Sequence, residues 1–149
     1  MNINKNINTT IITDNNLKVL EYFKNERIIN EPMNLKLVDS GFVVLNDVLR
    51  YLKDSDVEKF LMKLEDKNIH FVNITSKIEE ALFSQKLIVY TDDKVQIEGP
   101  VISVLREEGI LKKLGFSLPF IYDLSLQLSY YGLINSIYLD EKALVDKLW

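Results

Sequence analysis

Cysteine is absent from the 149 residues, which removes disulfide frameworks, zinc ribbons and thiol nucleophiles and permits a reducing compartment. Histidine occurs once, at His70, so most histidine-based metal sites are excluded too. No run approaches the ~20 apolar residues of a membrane-spanning helix. The opening MNINKNINTT is polar and lacks the apolar stretch of a signal peptide. These absences lead to the expectation of a soluble, cytoplasmic protein. Positive charge is not in excess either. With 22 acids against 18 bases the net charge is −4, so any contact with nucleic acid needs a local basic patch or bound cations.

What is present is apolar material for one core: 47% of residues are hydrophobic and 27% charged, the range of one globular domain. The central stretch is KLIVYTDDK, residues 86–94. Leu87 to Tyr90 form a continuous run of strand formers, the pattern of a strand buried on both faces. TTIIT (9–13), Phe42 to Leu45 and IHFVNI (69–74) read as further strands. Between them lie helical patterns. One begins at Asn15 with Asp14 as its cap. A second carries Val57, Phe60, Leu61 and Leu64 behind a Ser55/Glu58 capping box, and a third opens with Ser76/Glu79 at the same spacing.

After the 86–94 strand, Gly99-Pro100 opens a helix through Leu105 that Gly109 closes. Pro119 precedes a helix with Phe120, Leu124, Leu128 and Tyr131 on one face and Gly132 as terminator. Asp140 caps a final amphipathic turn or two. Strands alternating with crossovers too long for hairpins predict an α/β domain, a mostly parallel central sheet flanked by helices. Residues 1–8 are expected to be a flexible leader, and 111–149 a helical carboxyl-terminal region of the same single domain.

Candidate chemistry falls at strand ends. Asp14 closes the first strand and Asp92-Asp93 the later one, and in a parallel sheet those ends share one edge, where ligands of open α/β sheets bind. Carboxylates from different strands suit Mg²⁺, which takes oxygen ligands and keeps several waters. A cation there would polarise a phosphodiester and lower the pKa of an attacking water. The alternative is that Asp14 is a helix cap and Asp92-Asp93 a turn. His70, inside an apolar strand with no partner beside it, reads as structural. Glu79 and Glu80 read as a capping box and a solvated acid. Tyr130, Tyr131 and Tyr138 read as packing, and Trp149 as folding back or entering a partner surface.

The order of these features resembles a PIN domain, the metal-dependent ribonuclease fold of VapC-type toxins in toxin–antitoxin pairs. The resemblance runs through IITDNN (11–16), KIEEAL (77–82), IVYTDDK (88–94) and GLI (132–134). It implies a PIN-like three-layer arrangement, Asp14, Asp92 and Asp93 as ligands of Mg²⁺ or Mn²⁺, Glu80 as a further catalytic acid, and RNA as substrate. The chain departs from the pattern at NDVLRYLKD, with Arg50 and Tyr51 where the family has an acid and Asp47 almost a turn too early. A depleted acidic site follows from that departure. The second reading is a catalytically inactive α/β module acting through a homodimer or protein partner, using residues 116–149.

Overall fold

In the computed structural model, which describes residues 1–149, the chain divides into two compact units, Met1–Val104 and Leu105–Trp149. The first is built on a six-stranded sheet: β1 (Thr9–Thr13), β2 (Ile28–Ile29), β3 (Gly41–Asn46), β4 (Ile69–Thr75), β5 (Lys86–Thr91) and β6 (Lys94–Pro100). Their order across the sheet is β2-β3-β4-β1-β5-β6, parallel throughout except that β6 runs antiparallel to β5. The predicted mostly parallel α/β sheet is therefore present.

Alternation along the strands sorts their side chains between two faces. On one face Ile11, Val44, Val72, Ile74 and Ile88 pack with Val19 and Phe23 of α1 (Asn16–Glu21) and the turn that follows it. Met1 and Ile3, from the stretch expected to be a leader, pack against this same cluster. On the other face Val43, Leu45, Ile69 and Phe71 meet Val57, Phe60 and Leu64 of α2 (Asp54–Asp66). Helices on both faces make three layers.

Several local expectations need correction. The cap of α1 is Asn15, whose side chain accepts from the Lys18 N–H at 3.2 Å; Asp14 lies one residue outside. Lys53 precedes α2 without a side-chain cap, so Ser55 falls inside the first turn. Ser76/Glu79 opens only a 3₁₀ turn over Ile78–Phe83, whose cap position is Lys77. The segment after β5 is a hairpin rather than a crossover: Asp92 and Asp93, at φ 52° and 62°, form the two-residue connection, with Thr91 paired to Lys94. Positive φ at both central residues is the turn geometry that matches the twist of paired strands.

The second unit carries α4 (Glu108–Lys113), α5 (Phe120–Tyr130) and α6 (Glu141–Leu148), and α3 (Val101–Leu105) ends at its border. Pro119 before α5, Gly132 at φ 74° after it, and Asp140 capping the Lys142 N–H stand as the sequence reading has them. The buried face of α5 differs. Tyr122 and Ser125 are buried, while Phe120 and Tyr131 are exposed. Ser125 Oγ accepts from the Tyr138 N–H at 2.7 Å, which ties the chain after α5 back to the helix.

Candidate functional site at the carboxyl edge of the sheet

β1 occupies the middle of the sheet, with β4 on one side and β5 on the other. The link from β1 leads into α1 on one face. The chain after β4 leads to the 78–83 turn on the other face, where Thr10 Oγ1 donates to the Glu80 carbonyl at 3.3 Å. Adjacent strands whose connections leave on opposite faces open a crevice at their carboxyl ends, the usual ligand site of such sheets.

The crevice is lined by amides. Asn16 Nδ2 donates to Asn46 Oδ1 at 3.1 Å, and Asn46 Nδ2 donates to Asn30 Oδ1 at 2.9 Å. This neutral chain spans the ends of β1, β2 and β3. Asp47 follows in the left-handed region at φ 53°. Its N–H donates to the Ile74 carbonyl at 2.8 Å, and its carboxylate meets Arg50 Nε at 3.4 Å. At the end of β4, Thr75 Oγ1 donates to Glu80 Oε2 at 2.9 Å, and Asn73 Nδ2 donates to Oε1 at 3.0 Å. Glu80 is thus buried, not solvated as the sequence reading has it. Burial raises its pKa above the ordinary carboxyl value; the Asn73 and Thr75 donors and Lys77 pull it down, and Asp47 adds to the rise. Beside it opens a cleft of about 570 Å³ lined by Leu49, Arg50, Leu52, Lys77, Glu80 and Phe83 among others.

The four acids named from the sequence do not form one cluster. Asp14 is exposed at the end of β1, and Glu80 lies buried under the β4 end. Asp92 and Asp93 are the exposed hairpin residues, Asp93 paired with Lys18 Nζ at 3.0 Å. No group of three or more His, Asp or Glu side chains is arranged to hold a metal ion. The parallel register does bring the ends of β1 and β5 to one edge, with Thr13 opposite Tyr90. The backbone demand of a hairpin turn accounts for the paired aspartates. The residues that sequence reasoning missed are the amides, Asn16, Asn30 and Asn46. Their only signal was position, each next to a strand end.

No protein-family model matches the chain. Among curated proteins it is similar to the energy-coupling factor transporter ATP-binding protein EcfA1 of Listeria monocytogenes serotype 4b (strain F2365), 30% identical over 94 residues, 62% of this chain and 34% of that protein. The protein of the same name from Mesomycoplasma hyopneumoniae (strain 7448) is 32% identical over 95 residues, 63% of this chain and 34% of its own length. That from Lactobacillus delbrueckii subsp. bulgaricus (strain ATCC BAA-365 / Lb-18) is 32% identical over 86 residues, 57% and 30%. The chain spans about a third of the length of these relatives.

These matches overturn the PIN resemblance and the ribonuclease, toxin–antitoxin and RNA readings drawn from it, because the relatives are named as ATP-binding transporter proteins. They lend nothing to the homodimer or partner-binding module through 116–149. Acids at strand ends are shared by too many α/β proteins to single out a nuclease.

ATP phosphates are commonly cradled by a glycine-rich loop between strand and helix, GxxxxGK[ST], whose lysine reaches the terminal phosphates. The residues here do not fit that group. None of the five glycines is followed by lysine, and β1 joins α1 through Asp14 and Asn15 alone. Asn15 already occupies a free N–H of the helix start, and the residue before it, Asp14, is an acid, which repels a phosphate.

Proposed function

We propose that this chain works alongside ATP-binding components of a transporter, at the cytoplasmic face of a membrane, and does not hydrolyse ATP itself. The similarity to energy-coupling factor ATP-binding proteins supports the setting. The observation that carries the second half is the Asp14–Asn15 link, too short and of the wrong charge to wrap a triphosphate. No helix of the chain is long and apolar enough to cross a membrane. Mg²⁺ enters this reading with the nucleotide of an ATP-binding partner, since that ion is usually held by one or two carboxylates together with substrate phosphates.

The test has two arms. Titration of the purified chain with a fluorescent ATP analogue in the presence of Mg²⁺ should show no saturable binding below about 1 mM, a binding free energy of ~4 kcal/mol, and no phosphate release. Size-exclusion chromatography with a purified energy-coupling factor complex should show co-elution. Micromolar ATP binding or turnover would overturn the non-hydrolytic half. Absence of co-elution would overturn the transporter setting.

A further inference from the structure

The flank of α2 holds a second concavity of about 300 Å³, between that helix and the 3₁₀ turn Pro32–Leu37, which shares Leu52 with the cleft beside Glu80. Its floor is apolar, with Leu35 and Phe60 buried. Lys36, Lys59, Lys63 and Lys67 line it, against one acid, Asp56. Lys59 and Lys63 of α2 and Lys67, the residue that ends it, recur every four residues. They therefore form one stripe, rising ~6 Å per step, and Lys36 faces them from the opposite bank.

None of these lysines has a carboxylate partner. The ion pairs of the chain join Lys5 to Glu26, Lys18 to Asp93 and Arg50 to Asp47. In a chain of net charge −4, four unpaired ammonium groups around one apolar hollow are a local inversion of charge. One of them is held in place: Lys67 Nζ donates to the Leu35 carbonyl at 3.4 Å and the Val38 carbonyl at 3.0 Å. An ammonium has three donors, so one remains for a ligand.

From this geometry we infer that the groove binds an amphiphilic anion: a phosphate or carboxylate head met by the lysines, with an apolar body on the floor of Leu35 and Phe60. The volume stands at the lower end of small-molecule sites, ~300–1,000 Å³. A helix, ~10–12 Å across with its side chains, does not enter such a hollow, which favours a small head over an acidic peptide. The lysines act as point charges and the floor supplies the hydrophobic term. The inference stands independently of the transporter reading.

Three probes test it by titration calorimetry and vesicle co-sedimentation: inorganic phosphate, octyl phosphate, and phosphatidylcholine vesicles with or without phosphatidylglycerol. Octyl phosphate should bind at least tenfold more tightly than inorganic phosphate, and added salt should weaken it. The double variant Lys59→Gln/Lys63→Gln sits on the exposed side of α2, where glutamine keeps helix propensity. It should lose tenfold or more in octyl phosphate affinity with an unchanged melting temperature. Binding to phosphatidylglycerol vesicles that the variant abolishes would name a lipid headgroup as the source; octyl phosphate binding without vesicle binding would name a free metabolite. Equal affinity for inorganic and octyl phosphate, no binding to any probe, binding only to an acidic peptide, or binding that survives the double variant would each overturn the site.

Discussion

The carboxyl edge of the sheet and the groove beside α2 are both polar, and they differ in how that polarity is met. At the edge most of the polar side chains described above have a partner, although Asn73 Oδ1 is buried with none. The three asparagines form a chain of two hydrogen bonds, Asp47 meets Arg50, and Asp93 meets Lys18. Glu80 takes hydrogen bonds from Asn73 and Thr75. Along the groove the lysines form no ion pair, although one acid, Asp56, lines it with them. Where a side-chain bond is already made, an incoming group must displace it. Unpaired charge is the reverse case. The fold thus has the architecture of a ligand-binding sheet, with unpaired cations gathered on its flank.

The sharpest way to break this comparison is to unseat α2, which forms one wall of the groove. Leu64 is buried between the helix and the sheet. Leu64→Ala should cost about 2–5 kcal/mol, the transfer term plus the cavity left behind, measured by urea unfolding. Octyl phosphate binding should fall with the folded fraction. A cost under about 1 kcal/mol would mean that α2 is not anchored where the groove needs it.

Next in size is the Glu80 network. Thr75→Val keeps the shape and removes one of the two side-chain donors to a buried carboxylate, which should cost about 1–3 kcal/mol near neutral pH. The pH dependence has a definite sign. Because burial raises the folded pKa of Glu80, the native state holds its proton to higher pH than the unfolded chain. Its stabilising contribution is therefore complete below the ordinary carboxyl value and is lost as pH rises through the raised folded value. Glu80→Gln carries no charge to bury and should flatten the fall in melting temperature across that window. An unchanged slope would locate the pH dependence in another group.

How much of this was open to sequence reading follows from which forces were local. Strands β3 and β5 were legible because burial on both faces demands unbroken apolar runs, and β4 because Ile69, Phe71, Val72 and Ile74 sort between two faces. β6 was not. KVQIEGP carries the alternation of a half-exposed strand, but it is short and runs into Gly99-Pro100, which the sequence reading takes as a helix start. Its hairpin turn carries Asp-Asp rather than the glycine pairs that usually mark such turns, so the sequence left both a turn and a site open there. Capping boxes at Ser55 and Ser76 were spacing without geometry, because tertiary packing set where those turns begin. The Glu80 network needs Asn73, Thr75 and the 78–83 turn in one place, and the amide chain joins residues from three strand ends. Those are long-range facts that no single stretch contains.

The smallest expected effect concerns that hairpin and separates the two roles once open to Asp93. As a turn residue it sits at φ 62°, which costs a β-branched side chain roughly 1–2 kcal/mol and a glycine nothing. Its contact with Lys18 is a solvent-exposed ion pair, worth about 0–1 kcal/mol. Asp93→Gly loses the ion pair, relieves the turn and adds disorder to the unfolded chain, so these terms nearly cancel within about 0.5 kcal/mol. Asp93→Val should be destabilised by about 1–2 kcal/mol, and neither variant should respond to Mn²⁺ in a thermal melt. Were the aspartate kept for a cation, glycine and valine would lose a Mn²⁺-dependent stabilisation alike. A turn role instead separates them, with glycine tolerated and valine penalised.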